Sequence, residues 1–147
     1  MTNSLSGTWL LDTNILVAFF DRSSLKNEIA KKIIGEIEMG RFKVVVSSQN
    51  ILELSSVLIA GYKGSRAKVV GDIKKLLDFI GDSSVIYPTS KSLNKYLSLL
   101  RKNESVHMTD LFLAATMFSA GIDSIITNDL VFEKISGIKI YNPFIVS

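Results

Sequence analysis

Five short apolar runs, each separated from the next by segments with helical spacing, constrain this chain more than any other feature. Trp9–Leu11, Val44–Val46, Val85–Tyr87, Ser124–Thr127 and Ile138–Tyr141 read as strands. Their apolar character is continuous rather than alternating, which fits strands covered on both faces, as in a parallel sheet. Helices are expected over Asn14–Phe20, Leu25–Met39, Ser48–Ala60, Arg66–Ile80, Ser92–Arg101 and Asp110–Ala120. Ser48 is placed as the cap of the third helix and Thr109 as the cap of the last, with Gly121 as the left-handed stop. Strands alternating with helices imply right-handed crossovers and an open three-layer α/β domain around a central parallel sheet of about five strands. With no repeat, linker or compositional break, residues 1–147 read as a single domain. Met1–Gly7 are small and polar, so residues 1–8 are expected to form a loose N-terminal tail.

Ligands of such sheets bind at the carboxyl ends of the strands, and four acids are expected there. Asp12 directly follows the first strand and Asp129 follows the fourth. Glu53 lies in the helix after the second strand, on a narrow stripe with Gln49, Ser56 and Ala60. Asp110 opens the most apolar helix, Leu111-Phe112-Leu113-Ala114-Ala115. Each has an ordinary explanation by itself: a helix cap for Asp12, a surface residue for Glu53, a dipole partner for Asp110, a turn residue for Asp129. Their coincidence at one edge is what points to chemistry. Four converging negative charges repel unless a cation holds them, and hard divalent ions take oxygen ligands. Asn14 offers a further oxygen or a hydrogen bond that orients Asp12.

Composition narrows the chemistry. The absence of Cys removes disulfides, zinc–thiolate sites and a cysteine nucleophile. Lys and Arg number 17 against 14 Asp and Glu, so four acids gathered in one pocket would leave a distinctly basic exterior, suited to a polyanion. A hydrophobic content of 47% excludes disorder, and it exceeds what one core of this size readily hides, so a homodimer or a partner is expected. The longest apolar runs, such as Ile15–Phe20, are too short for a bilayer, and Asp12 interrupts any leader-like stretch. No membrane association is expected, and the cytoplasm is the default location.

The segments Leu10-Leu11-Asp12-Thr13-Asn14-Ile15-Leu16, Ser47 to Glu53, Thr109-Asp110-Leu111-Phe112-Leu113-Ala114-Ala115 and Ile125-Ile126-Thr127-Asn128-Asp129 stand in an order that resembles a PIN domain. The resemblance runs from Trp9 to Phe144, and in size and spacing it is most similar to the VapC toxins of toxin–antitoxin pairs. It implies a Mg²⁺- or Mn²⁺-dependent endoribonuclease that hydrolyses RNA phosphodiesters with a metal-activated water and is restrained by a small antitoxin protein. It assigns Asp12, Glu53, Asp110 and Asp129 as catalytic and metal-binding residues, with Thr127 as a supporting hydroxyl beside Asn14. Many relatives carry a further acid two residues beyond the fourth, where this chain has Val131, which weakens the case for a second metal.

Lys63 lies in the loop Gly61-Tyr62-Lys63-Gly64, which Arg66 and Lys68 adjoin, and these three are the expected RNA-backbone contacts. His107 is read as structural; Lys31, Lys32, Lys74, Lys75, Arg101 and Lys102 as solvated; Phe19, Phe20, Phe112 and Phe118 as core or interface. Three other functions compete. A phosphohydrolase with an aspartate nucleophile needs Asp-x-Asp after the first strand, where the chain reads Asp12-Thr13-Asn14. A catalytically silent PIN-like module would bind RNA or protein with the same acids in place. A receiver-type signalling domain needs an acid after the third strand, where the chain reads Tyr87-Pro88-Thr89.

Overall fold

The computed structural model describes residues 5–145. In chain order the elements are β1 (Thr8–Leu11), α1 (Thr13–Phe20), α2 (Asn27–Glu38), β2 (Lys43–Ser47), α3 (Ser48–Gly61), α4 (Arg66–Ile80), β3 (Val85–Ile86), α5 (Ser90–Lys102), α6 (Met108–Ser119), β4 (Ser124–Ile126) and β5 (Lys139–Tyr141). Short 3₁₀ turns at Asp82–Ser84 and Leu130–Lys134 complete them. The sheet has five strands in the order β3-β2-β1-β4-β5, every pairing parallel, as the continuous apolar runs implied.

Side-chain alternation along the strands divides the interior in two. Trp9, Leu11, Val44, Val46 and Ile126 point to one face and pack with α1, α2, α3 and α4 through residues such as Ile15, Ile33, Leu54 and Leu76. Leu10 and Ile125 point to the other, where α5 and α6 cover them with Leu99, Leu111 and Met117. These are the three layers expected. The strand order also fixes a site. The chain builds outward from β1 through β2 to β3, then returns to β4 on the other flank, so the reversal falls between the carboxyl ends of β1 and β4.

Several element ends differ from expectation, each for a local reason. Ser47, not Ser48, caps α3. It still has the extended backbone of β2 (φ −92°, ψ 157°), and it forms a reciprocal capping box with Asn50. His107, not Thr109, caps α6: its Nδ1 accepts from the Thr109 amide at 3.2 Å, and Thr109 is already helical. Helix α2 begins at Asn27 rather than Leu25, because the buried Asn27 amide donates to the Ala18 and Phe19 carbonyls at 2.9 and 2.8 Å and closes the end of α1. Gly121 is left-handed, φ 75°, as placed. The tail expected over residues 1–8 is anchored from Leu5 onward: Leu5 is buried, Trp9 Nε1 donates to the Ser6 carbonyl at 2.9 Å, and Thr8 begins β1. Residues 1–4 lie outside the described residues.

Candidate functional site

Asp12 stands at the topological reversal. Its backbone amide donates to the Ile126 carbonyl at 3.1 Å, continuing the β1–β4 ladder one step, and its side chain caps α1. That residue is 7% exposed, and four groups donate to its carboxylate. Oδ1 accepts from the Thr13 amide at 2.8 Å and Asn50 Nδ2 at 3.2 Å; Oδ2 accepts from Thr127 Oγ1 at 2.7 Å and Asn14 Nδ2 at 3.0 Å. Even with these bonds the Asp12 carboxyl is pushed up from 3.8 to about 6. Burial is the main cause, the Thr127 and Thr13 bonds oppose it, and the charges of Glu53 and Asp110 add to it.

Each neighbour is held by its own element. Glu53, half-buried on α3, accepts from Thr13 Oγ1 at 2.8 Å through Oε2 and from Gln49 Nε2 at 3.1 Å through Oε1. Asp110, in the first turn of α6, has a raised carboxyl, from burial first and then the charges of Asp129 and Glu53, while His107 pulls it down. Asp129 is exposed and caps the Leu130–Lys134 turn by accepting from the Val131 amide at 3.0 Å. Its own amide donates to Thr127 Oγ1 at 3.0 Å, and Asn14 Oδ1 accepts from the Asn128 amide at 3.2 Å. The β4–3₁₀ connection is therefore tied to the first turn of α1.

These four acids occupy one end of the sheet and act on one another electrostatically, Asp12 with Glu53 and Asp110, and Asp110 with Glu53 and Asp129. They do not close around a point. Among the described residues no three Asp, Glu, His or Cys side chains are gathered tightly enough to enclose a metal ion. The donor set is nonetheless chemically selective. It is all oxygen, since the chain lacks Cys and its single His is committed as a helix cap. An open oxygen set suits Mg²⁺, which keeps several waters beside one or two carboxylates, better than a metal that demands a full protein cage. A buried carboxylate whose charge is disfavoured by desolvation and by neighbouring acids, even with four donors, also gains from a cation.

Thr13 and Asn50 join the acids in a way that side-chain type and strand placement did not anticipate. Asn50 is fully buried; its Oδ1 accepts from Ser47 N and Oγ, and its amide reaches both Asp12 and Thr13 Oγ1. The available signal was a Ser47–Asn50 spacing of three, the capping-box register with Asn in place of Glu or Gln. Lys63, Arg66 and Lys68 stand apart. They follow the far end of α3, which lies about 12 Å of axial rise beyond Glu53 at roughly 1.5 Å per residue. There Lys68 Nζ lies 3.9 Å over the Tyr62 ring. Phe19 and Phe20 pack edge to face at 5.3 Å, and Phe112 does so with Tyr96 at 5.4 Å, as core or interface aromatics.

Comparison with known proteins agrees with this fold. Among solved structures, FitAcB from Neisseria gonorrhoeae superposes with a TM-score of 0.75 at 16% identity, over 97% of this chain and 100% of that one. VapBC-1 from nontypeable Haemophilus influenzae gives 0.65 at 22%, over 92% and 98%. VapC20 from Mycobacterium tuberculosis, a Sarcin-Ricin loop cleaving toxin, gives 0.62 at 19%, over 86% and 94%. At these identities the likeness is one of fold. No curated protein matches the chain. The sequence profile of the PIN domain matches residues 9–138. That match includes all four acids and most of the chain, which therefore belongs to the PIN domain family.

Proposed function

We propose that this protein is a Mg²⁺- or Mn²⁺-dependent endoribonuclease and the toxin of a toxin–antitoxin pair, one domain acting in the cytoplasm. The observation that carries the reading is the buried Asp12 carboxylate, held by four donors at the sheet reversal and faced by Glu53 and Asp110 in a PIN domain chain. Asp12, Glu53, Asp110 and Asp129 would hold the ion, which supplies Lewis-acid neutralisation of the charge that develops on a phosphodiester and activates water for attack. The chain's own part is preorganisation. Thr127 and Asn14 fix the Asp12 carboxylate, Thr13 fixes Glu53, and the first turn of α6 presents Asp110. Backbone contacts by Lys63, Arg66 and Lys68 would involve nucleotides remote from the scissile bond.

For the antitoxin, a groove of about 690 Å³ beside α1 is lined by apolar side chains including Phe19, Phe20 and Val57 and by four bases, Arg22, Lys31, Lys68 and Lys75, against two acids, Asp21 and Asp72. An amphipathic segment bearing acids fits that lining. The homodimer is assigned to α5, whose Leu93, Leu97 and Leu100 form a solvent-facing stripe, 53%, 55% and 38% exposed. Among the described residues no helix is long and apolar enough to cross a membrane.

The test is cleavage of end-labelled RNA with Mn²⁺, with EDTA, and with Asp12→Asn and Asp110→Asn proteins. Cleavage by wild type that stops with EDTA and in both variants is expected. No cleavage by a metal-binding wild type would favour the silent module, and equal cleavage by the variants would remove the support for these residues.

A further inference from the structure

Gln49 lies one turn before Glu53 on α3, and its side-chain nitrogen is spent twice. Nε2 donates to Glu53 Oε1 at 3.1 Å and to the backbone carbonyl of Thr109 at 3.0 Å. The second bond crosses from α3 to the first turn of α6, one residue before Asp110. Chemistry fixes which way round the amide sits. Both partners are acceptors only, so exchanging the amide's oxygen and nitrogen would set Oε1 against a carboxylate and a carbonyl. With the nitrogen so committed, Oε1 is left over. Among the described residues it is the one buried side-chain oxygen or nitrogen without a hydrogen-bond partner.

An unpartnered buried acceptor costs stability, and an apolar side chain of the same length would avoid that cost. A glutamine here is not explained by helix packing, then, but by its two donors. Those donors join the acid on α3 to the backbone that carries the acid on α6. The two helices lie on opposite faces of the sheet and share no hydrophobic cluster. The Gln49 side chain is a direct link between them at this end, from Glu53 to the Thr109 carbonyl.

We propose that Gln49 is a positioning residue, a tether that sets the distance between Glu53 and Asp110 and so tunes the site for a divalent ion. The part concerning the ion rests on the metal-site reading above. The variant is Gln49→Met, which keeps the length and apolar stem of the side chain and removes both donors and the stranded acceptor. Two readouts apply, amide hydrogen exchange without metal and Mn²⁺ affinity. Loss of the tether should speed exchange of the Asp110 and Leu111 amides, both bonded to the His107 carbonyl, by about tenfold. The Leu93 amide, bonded to the Thr89 carbonyl at the start of α5, should exchange as in wild type. The Mn²⁺ dissociation constant should rise about three- to tenfold.

Unchanged exchange at Asp110 and Leu111 overturns the tether whether or not wild type binds Mn²⁺. Acceleration at Leu93 as well means general loosening, and overturns it too. Local acceleration with an unaltered Mn²⁺ constant overturns the positioning role. A wild type that does not bind Mn²⁺, with local acceleration in Gln49→Met, defeats the metal reading while supporting the tether.

Discussion

Lowering the pH should stabilise the metal-free protein, and Asp12 should be the principal reason. Its folded carboxyl is pushed up to about 6 against 3.8 in the unfolded chain. The unfolded chain therefore releases this proton at lower pH than the folded protein does. Between those two values the folded state binds more protons, so stability falls as pH rises through the window. Above about 6 the full penalty is present; below 3.8 it is gone. The gap between 3.8 and about 6 corresponds to about 3 kcal/mol, and because Asp12 is almost fully buried no discount for solvent screening applies. Urea unfolding in EDTA at several pH values between about 4 and 7.5, on wild type and Asp12→Asn, isolates the effect. In the variant the new side-chain amide would turn an NH₂ toward donors that now serve the carboxylate, which costs stability at every pH and appears as a constant offset. The informative quantity is the change in the wild type-minus-variant difference with pH. It should move by about 2.5 kcal/mol in favour of wild type as pH falls from about 7.5 to 4. A flat difference would refute the placing of Asp12 as a carboxylate whose charge is disfavoured by burial.

Asn50→Ala should cost about 2 to 4 kcal/mol in urea unfolding, because it removes a helix cap partner and strands buried groups on Ser47 and Asp12, whereas Ser48→Ala should be near neutral. Excess Mn²⁺ at about a hundred times its dissociation constant should stabilise wild type by about 2.7 kcal/mol, and Asp129→Asn distinctly less, when melting is followed against an EDTA control. Equal gains in both would remove Asp129 from the ion's ligands. Leu97→Glu should convert a dimer to a folded monomer in sedimentation velocity, and a dimer unaffected by it would mean that the α5 stripe is not the interface.

The fold was legible because its signals are redundant. Five apolar runs set the strands, and the helices between them required parallel pairing, so an error of a residue or two at any end left the topology intact. Helix starts were harder, since Ser47 and Ser48, or His107 and Thr109, all carry side chains able to cap, and only the backbone conformation inherited from the preceding segment decides. The acids could be named from their places after β1 and β4 and at the starts of helices. Of their support, Asn14 and Thr127 could be named as well, and both donate to Asp12, but the rest could not. Thr13, Gln49 and Asn50 act through contacts between segments 37 to 60 residues apart, which no local pattern encodes. Lys63, Arg66 and Lys68 are close in sequence to the helix bearing Glu53, yet the rise of α3 carries the chain about 12 Å along its axis before it reaches them.

The most direct measurement is a crystal of the protein soaked in Mn²⁺ and examined by anomalous diffraction. One peak is expected at the carboxyl ends of β1 and β4, about 2 Å from carboxylate oxygens of Asp12 and at least one of Glu53, Asp110 and Asp129, with water filling the remaining positions. Absence of a peak there at saturating Mn²⁺, or a peak bound only by other residues, would contradict the assignment of these four acids as a metal site.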